Sequence, residues 1–319
     1  MIPKSVTSIG SGVFNNCNNL TVYLENGSTL TSNVLGVDES KIVSYSQWKE
    51  DNLTWTLDAD GKLTISGTGA MKDYDYFKGN QSPASQKKDS VKKVVIEDGV
   101  TSIGDSAFYK CTGLTSITIP DSVTSIGKSA FNTCSKLTSI TIPDSITSIG
   151  MEVFLGCTSL TSITIPNGIT SIGDAMFSNC WNLTSITIPE SVTSIGTDAF
   201  AGCYDLTSIT IPESVTSIGN FAFDGCIGLT SITIPDSVIG IGNYAFSSCT
   251  KLKTISLSCK SSLKKSDFGE QADLVSYTLH TLKKTEAKSA TRSESCNLHR
   301  RWKQGILDLR TLRKVFLIG

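Results

Sequence analysis

Side chains that could carry catalysis are few in this chain, and their spacing does not favour it. Both histidines, His280 and His299, lie near the C-terminus, so the first 279 residues contain no imidazole to activate a Ser or Cys nucleophile. Glycosidase chemistry would need a converging pair of carboxylates with separated pKa values. The carboxylates of this chain instead recur at a constant interval, which is typical of a solvated edge. The sequence therefore predicts that the protein is not an enzyme, and no cofactor is expected.

Ten cysteines raise the question of metal binding or disulfides. Eight of them, Cys17 and the seven from Cys111 to Cys249, occupy one position of a repeat, without a C-x-x-C pair or a nearby His. This pattern predicts a buried column of small side chains and no metal site. Disulfides between neighbouring repeats are the alternative, because stacked strands lie about 4.8 Å apart.

Binding residues are better candidates than catalytic ones, and two sets stand out. One repeat position varies more than the others and carries bulky side chains on three consecutive repeats: Thr112, Ser135, Thr158, Trp181, Tyr204, Ile227 and Thr250. An apolar patch at Trp181, Tyr204 and Ile227 would suit binding, whereas packing on their own loops is the alternative. The second predicted ligand-binding set is an acidic column, broken by Asn167: Asp121, Asp144, Glu190, Glu213 and Asp236.

A 23-residue repeat sets the spacing of all these positions. The heptapeptide LTSITIP begins at residues 114, 137, 160, 183, 206 and 229. Seven tandem units fill residues 96–256, and a separate unit occupies residues 2–24. Periods of this length indicate a solenoid, in which each unit buries its apolar face only by stacking on its neighbours.

Within one unit the apolar spacing changes from one period to another. Apolar and hydroxyl residues alternate at the end of the stretch that contains Leu137, Ile140 and Ile142. This alternation predicts a short strand that ends at Pro143. Earlier in the unit, from Gly127 to Leu137, apolar residues three or four positions apart predict a short helix: Ala130, Phe131, Cys134 and Leu137. The predicted fold class is thus an α/β solenoid with short parallel strands on one face and short helices on the other.

The motif L-x-x-I-x-I at Leu114, Ile117 and Ile119 resembles the strand of leucine-rich repeats. The longer pattern I-P-x-x-V-x-x-I-G-x-x-A-F-x-x-C-x-x-L is similar to the BspA-like subclass, found on surface proteins of gut and oral anaerobes and some parasitic protists. The resemblance implies an extracellular or cell-surface location and binding of host matrix proteins or other cells. One departure is that the usual Asn ladder is replaced at these positions: Ser122, Ser145, Gly168, Ser191, Ser214 and Ser237.

Three segments lie outside the repeats. Residues 25–45 are predicted to be a closing strand and a linker. Residues 46–95 are predicted to be a small β-hairpin unit that caps the array, with a turn at Asp58–Gly61 rather than a calcium loop. Residues 257–319 are predicted to be a basic tail, disordered or out of frame. An amphipathic helix for a membrane surface or partner is the alternative there, with these residues on one side: Trp302, Ile306, Leu309 and Phe316.

Charge separates the array from the tail. Residues 96–256 carry 5 Lys and Arg against 13 Asp and Glu, whereas residues 257–319 carry 13 against 6. So acidic an array is expected to repel nucleic acid. The opening MIPKSVTSIG has neither the basic nor the apolar region of a signal peptide, which indicates a fragment that starts inside an array. No apolar run in the sequence is long enough for a transmembrane segment.

These observations favour a non-catalytic protein-interaction or adhesion module, a monomeric array that binds extracellular or host proteins and possibly glycans. The alternative is a carbohydrate-binding or accessory module of a larger secreted enzyme. Ice binding by the regular Ser-x-Thr columns is a third hypothesis, which a curved sheet fits poorly.

Overall fold

The computed structural model describes residues 1–278 except residues 11, 12, 15, 16, 18 and 259. From residue 279 onward, the predicted tail with its two histidines and its candidate helix lies outside the described residues.

Short strands dominate the described part of the chain. Its strands are β1 Val22–Glu25, β2 Ile42–Glu50, β3 Leu53–Asp58, β4 Lys62–Gly67, β5 Gly69–Ala70, β6 Lys93–Ile96, β7 Val100–Ile103, β8 Ser116–Thr118, β9 Ser125–Ile126, β10 Ser148–Ile149, β11 Ser162–Thr164, β12 Ser171–Ile172, β13 Ser185–Thr187, β14 Ser194–Ile195, β15 Ser217–Ile218, β16 Ser231–Ile234, β17 Gly240–Ile241, β18 Thr254–Ser258 and β19 Val275–Thr278. Two α-helices, α1 Ser32–Leu35 and α2 Pro83–Gln86, and three 3-10 segments complete it: Glu39–Lys41, Tyr76–Lys78 and Lys265–Leu274.

Two parallel ladders run along the array. In the first ladder, strands of the SIT sequence pair with their counterparts one unit away, as Ser162 does with Ser185. In the second ladder, the short strands that follow the Pro turn, most of them of the SI sequence, do the same, as Ser194 does with Ser217. The paired strand residues therefore lie beside their own equivalents in the next rung, and the array is a parallel β-solenoid.

The predicted helix on the other side of each unit is wrong. The first part of that stretch, residues 105–110 in the first unit and its equivalents in the others, is here named the turn segment. Its backbone is left-handed at two positions, with φ of 52° at Ser106 and 58° at Lys110, which no α-helix tolerates. The N–H groups of Ser106 and Phe108 donate to the carbonyls of Lys128 and Ala130 in the next rung, both at 2.8 Å. Hydrogen bonds between rungs thus replace those that a helix would make within itself.

A column of stacked phenylalanine rings fills the centre of the solenoid. One ring from each of seven rungs is buried, with centroids of neighbouring rings 5.3–5.7 Å apart: Phe108, Phe131, Phe154, Phe177, Phe200, Phe223 and Phe246. Trp55 continues the column at one end (5.9 Å) and Phe268 at the other (6.3 Å). The column joins the predicted capping unit, residues 46–95, and the array into one core.

The first rung is covered by the residues that precede it. Strands β2, β3 and β4 form an antiparallel meander, and β4 continues the first ladder by pairing in parallel with β6. The hydroxyls of Ser82 and Ser85 donate to the carbonyls of Ala107 (2.5 Å) and Tyr109 (2.8 Å), the two acceptors that a preceding turn segment would otherwise satisfy. Side chains here supply the hydrogen bonds that another rung supplies elsewhere.

Residues 25–45, predicted to be a closing strand and a linker, contain regular structure and buried side chains. They include α1 and the 3-10 segment Glu39–Lys41, and Leu30 and Leu35 are buried in a separate small core with the N-terminal repeat. Because β1 pairs in parallel with β2, this N-terminal repeat shares a sheet with the meander.

The array continues past residue 256, where the prediction ended it. Strand β19 pairs in parallel with β18, and Ile255 faces Val275, which is 20 residues later rather than 23. Phe268 and Val275 are buried in the common core. Residues 257–278 therefore form a shorter, irregular rung, whose changed length and composition concealed it in the sequence.

Serine hydroxyls take over the task of the missing Asn ladder. Ser122, Ser191 and Ser214 donate to carbonyls of the preceding rung at 2.8, 2.6 and 2.6 Å. Ser145 makes the same bond at 2.8 Å, whereas the hydroxyl of Ser237 is buried without a partner in the described part of the chain. A short hydroxyl suffices because the acceptor lies directly in the neighbouring rung.

Candidate interaction surface

Bulky side chains at the variable repeat position form an exposed row. The rings of Trp181 and Tyr204 stack with centroids 6.1 Å apart and planes 15° from parallel. Their exposed fractions are 47% and 41%, and that of Ile227 is 38%. The rings therefore contact each other across two rungs rather than being buried on their own loops.

Backbone bonds between rungs hold this row in place. The N–H of Asp205 donates to the carbonyl of Trp181 at 3.0 Å, immediately beside the two rings. Cys180 and Cys203, which precede Trp181 and Tyr204, are completely buried. The alternation of a buried thiol and an outward side chain, repeated in each rung, aligns the aromatic rings along the solenoid.

A second exposed aromatic pair was missed by the sequence analysis. Phe221 and Tyr244 stack with centroids 5.2 Å apart and planes 13° from parallel, although they are 38% and 57% exposed. Both occupy a left-handed position of the turn segment, with φ of 54° and 59°. The sequence does mark this pair, because the same repeat position in five earlier units holds smaller or polar residues: Ser106, Ser129, Glu152, Ala175 and Asp198.

The turn that begins at Phe221 passes beside the ring of Tyr204. The N–H of Asp224 donates to the carbonyl of Phe221 at 3.0 Å, which places both in one turn. Next to Asp224, Gly225 has a left-handed φ of 67°, and a Cβ at this position would lie 3.9 Å from the ring of Tyr204. We name Trp181, Tyr204, Phe221, Ile227 and Tyr244 together the aromatic surface.

Three carboxylates of neighbouring rungs, one of them in the turn that carries Phe221, repel one another. Partial burial raises the pKa of Asp198, and the charges of Asp224 and Asp174 raise it further. The three carboxylates therefore lie close enough to interact with one another.

The predicted acidic column lies elsewhere. In its unit, strand β13 stands between Trp181 and Glu190, so the column and the aromatic row flank the first ladder on opposite sides. Four of its members are exposed: Asp121, Asp144, Glu190 and Glu213. Asp236 is only partly exposed, and its Oδ2 accepts a hydrogen bond of 2.9 Å from Ser258 of the following rung. The column therefore does not join the aromatic row in one site.

The cysteine column is buried, as its pattern predicted. All seven thiols from Cys111 to Cys249 are buried and free, and Sγ of Cys180 and Cys203 donates to the carbonyls of Phe154 (3.1 Å) and Phe177 (3.2 Å). Burial raises the pKa of Cys157 and Cys203 to about 12. These thiols therefore stay protonated, whereas nucleophilic or metal-binding cysteines must be thiolates.

The described residues offer neither a cluster of metal ligands nor a membrane-spanning helix. Over the ranges that the structure describes, no three His, Cys, Asp or Glu side chains are grouped so that they could hold a metal ion. Within the same ranges, no helix has the length and apolar character needed to cross a bilayer.

A parallel solenoid of 23-residue units, each with an L-x-x-I-x-I strand, defines the class of leucine-rich repeat proteins. The family model of the BspA type leucine rich repeat region matches in six copies, over residues 1–34, 82–206 and 193–295. The chain belongs to this family.

Solved structures of bacterial leucine-rich repeat proteins are similar to this chain. One from Bacteroides ovatus is 26% identical, with a TM-score of 0.50 over 74% of this chain and 75% of that one. One from Eubacterium ventriosum is 29% identical, with a TM-score of 0.43 over 67% and 72%. A leucine rich cell surface protein from Faecalibacterium prausnitzii is 22% identical, with a TM-score of 0.39 over 77% and 97%. No curated protein matches the chain.

Proposed function

We propose that this chain is a non-catalytic interaction module of a bacterial cell-surface or secreted protein, which binds extracellular or host proteins through the aromatic surface. The exposed stack of Trp181 on Tyr204 is the observation that supports this proposal. Large aromatic side chains exposed to water cost free energy, and such residues are enriched among those that dominate the affinity of protein interfaces.

Most other rungs carry no bulky side chain at the position of Trp181 and Tyr204. Units before and after the row carry hydroxyl residues at this position: Thr112, Ser135, Thr158 and Thr250. The solenoid therefore stacks without bulky side chains there, and neither Trp181 nor Tyr204 is required to complete the core.

Carbohydrate binding is the competing function, and the ring geometry favours it less. A sugar platform generally offers flat ring faces to the ligand. Here the planes of Trp181 and Tyr204 are nearly parallel, so each ring covers one face of the other. Each ring keeps only one face that the other does not cover, so the stack offers less flat area than two separate rings would, and Trp and Tyr are both enriched in protein interfaces.

The proposal is tested with a double variant, Trp181→Thr with Tyr204→Thr, which installs the residue that other units carry at this position. Binding to immobilised extracellular matrix proteins is measured by surface plasmon resonance beside a glycan array. We expect the variant to keep its fold by circular dichroism and to lose at least roughly tenfold in affinity, as for two hot-spot residues. Unchanged binding to the matrix proteins would contradict the proposed site, and a loss confined to glycans would favour the competing function.

The matched control is Ile239→Thr. Ile239 is 74% exposed at a position where the preceding unit carries Thr216, so the control removes exposed apolar area at a residue that is not part of the aromatic surface. We expect it to bind as the unmodified chain does.

A cell-surface location is part of the proposal and rests on the family. Antibodies against the array, applied to intact cells that express the complete parent protein, test this part. Labelling only after the cells are permeabilised would contradict it.

A further inference from the structure

The part of the array that carries the aromatic surface contains no cation. Between Lys136 and Lys251 there is no Lys or Arg, whereas nine carboxylates occur there: Asp144, Glu152, Asp174, Glu190, Asp198, Asp205, Glu213, Asp224 and Asp236. In the ranges that the structure describes, Glu152 is the one member of this set held in an ion pair, with Lys128 at 3.5 Å. A stretch of five rungs therefore presents a negative potential that its own side chains leave uncompensated.

Aromatic rings and carboxylates meet within this stretch. The turn that carries Phe221 also carries Asp224, and the Asp198 carboxylate interacts with that of Asp224 in the next rung. Asp205 directly follows Tyr204 in the chain. One face of Phe221 is covered by Tyr244, so its other face is turned toward the preceding rung, where Asp198 holds the same repeat position.

The exposed pair of Phe221 and Tyr244 also costs conformational free energy. Phe221 and Tyr244 both hold a left-handed backbone, a conformation that bulky residues rarely adopt, and their side chains remain exposed. In the first two rungs, Ser106 and Ser129 adopt the same left-handed conformation with small polar side chains. Folding therefore does not explain why two large aromatic residues occupy this position.

We propose that the aromatic surface binds a polypeptide segment whose arginine side chains lie on the exposed rings and pair with the carboxylates around them. Arginine fits because its guanidinium is planar, stacks on aromatic faces and pairs with carboxylates at the same time. Complementary charge selects this occupant over a neutral or acidic segment. The inference rests on the proposed function and specifies the chemistry of the partner.

The experiment uses the full chain and two fluorescent peptides of alternating residues, one of Arg and Ser, the other with citrulline in place of every Arg. Citrulline keeps the planar side chain and removes its charge. We expect the arginine peptide to bind roughly tenfold or more tightly by fluorescence anisotropy, and this preference to shrink as salt is raised.

Three variants locate the binding. The double variants Phe221→Ser with Tyr244→Ser and Asp198→Asn with Asp224→Asn are each expected to reduce affinity for the arginine peptide by roughly fivefold or more. Both use residue types that other rungs tolerate or that keep the side-chain shape. Ile239→Thr is the control and is expected to leave the affinity unchanged.

The outcomes separate this inference from the proposed function. Equal binding of the arginine and citrulline peptides overturns the inference, and so do double variants that bind the arginine peptide as the unmodified chain does. If matrix proteins bind through Trp181 and Tyr204 while the arginine peptide neither binds nor competes, the proposed function stands and the arginine partner is wrong. If neither ligand binds, both proposals fail.

Discussion

Buried thiols give the most quantitative prediction about this fold. Cys203 is buried, and its Sγ donates to the carbonyl of Phe177 at 3.2 Å, so both solvent exclusion and a hydrogen bond protect it. Burial raises its pKa from an ordinary value of 9.0 to about 12. Well below pH 9, such a shift lowers the thiolate fraction about a thousandfold, and thiolate is the form that reacts.

We therefore expect alkylation of Cys203 by iodoacetamide in the native state to be at least about a thousandfold slower than that of an exposed thiol. Cys17 is an internal reference, because it holds the same repeat position but is exposed in the N-terminal repeat. Samples quenched over time and digested for mass spectrometry give the rate at each cysteine separately. In denaturant the difference between the two residues should disappear.

Two results would refute the reasoning. Alkylation of Cys203 at a rate within about tenfold of Cys17 would show that the thiol is neither buried nor protonated. A peptide that links Cys203 to Cys180 or Cys226 through a disulfide, found without reduction, would show that the column is oxidised. A uniform slow rate along the column would instead indicate that its rungs open together.

Three further variants test the packing and the charges. Phe177→Ala removes a buried ring that stacks on both neighbours at 5.5 Å, and a cost of about 3–5 kcal/mol in the free energy of unfolding is expected from urea denaturation; an unchanged midpoint would contradict a continuous ring column. Ser214→Ala removes the 2.6 Å hydrogen bond to the carbonyl of Val192, and the same assay should show a loss of about 0.5–1.5 kcal/mol, whereas no loss would mean that water replaces the hydroxyl. Asp198→Asn should stabilise the fold at neutral pH, because the raised pKa of Asp198 means that its charged carboxylate opposes folding above that pKa. This gain in the free energy of unfolding should disappear as the pH falls below the pKa of Asp198. A gain that persists in acid would exclude this charge effect.

Much of the architecture follows from the repeat alone. The constant spacing of Leu and Ile predicted stacked parallel strands, and the structure pairs Ser162–Thr164 with Ser185–Thr187 in that register. The predicted family is confirmed by the match to the BspA type repeat. The predicted helix failed because apolar residues three or four apart also fit a turn whose buried side chains all point into the same core. Nothing in one unit reveals that the N–H of Phe108 bonds to the next rung.

The aromatic surface was half visible in the sequence. Trp181, Tyr204 and Ile227 stood out because they replace hydroxyl residues, and their role as ligand-binding residues stays a prediction. Phe221 and Tyr244 were not recognised, because their repeat position had been assigned to a helix, where a large apolar side chain is ordinary. Its left-handed backbone became evident only from the fold.

The sequence by itself determined the period, the strands, the family and the acidic character of the array, because each of these depends on residue types at fixed intervals. The tertiary structure decided where the backbone of the turn segment finds its partners, which aromatic rings remain exposed, and that an irregular stretch of residues 257–278 forms another rung. The physical reason is the same in each case. A single unit cannot satisfy its own polar groups or bury its own core, so the neighbouring rung decides what the local sequence leaves open.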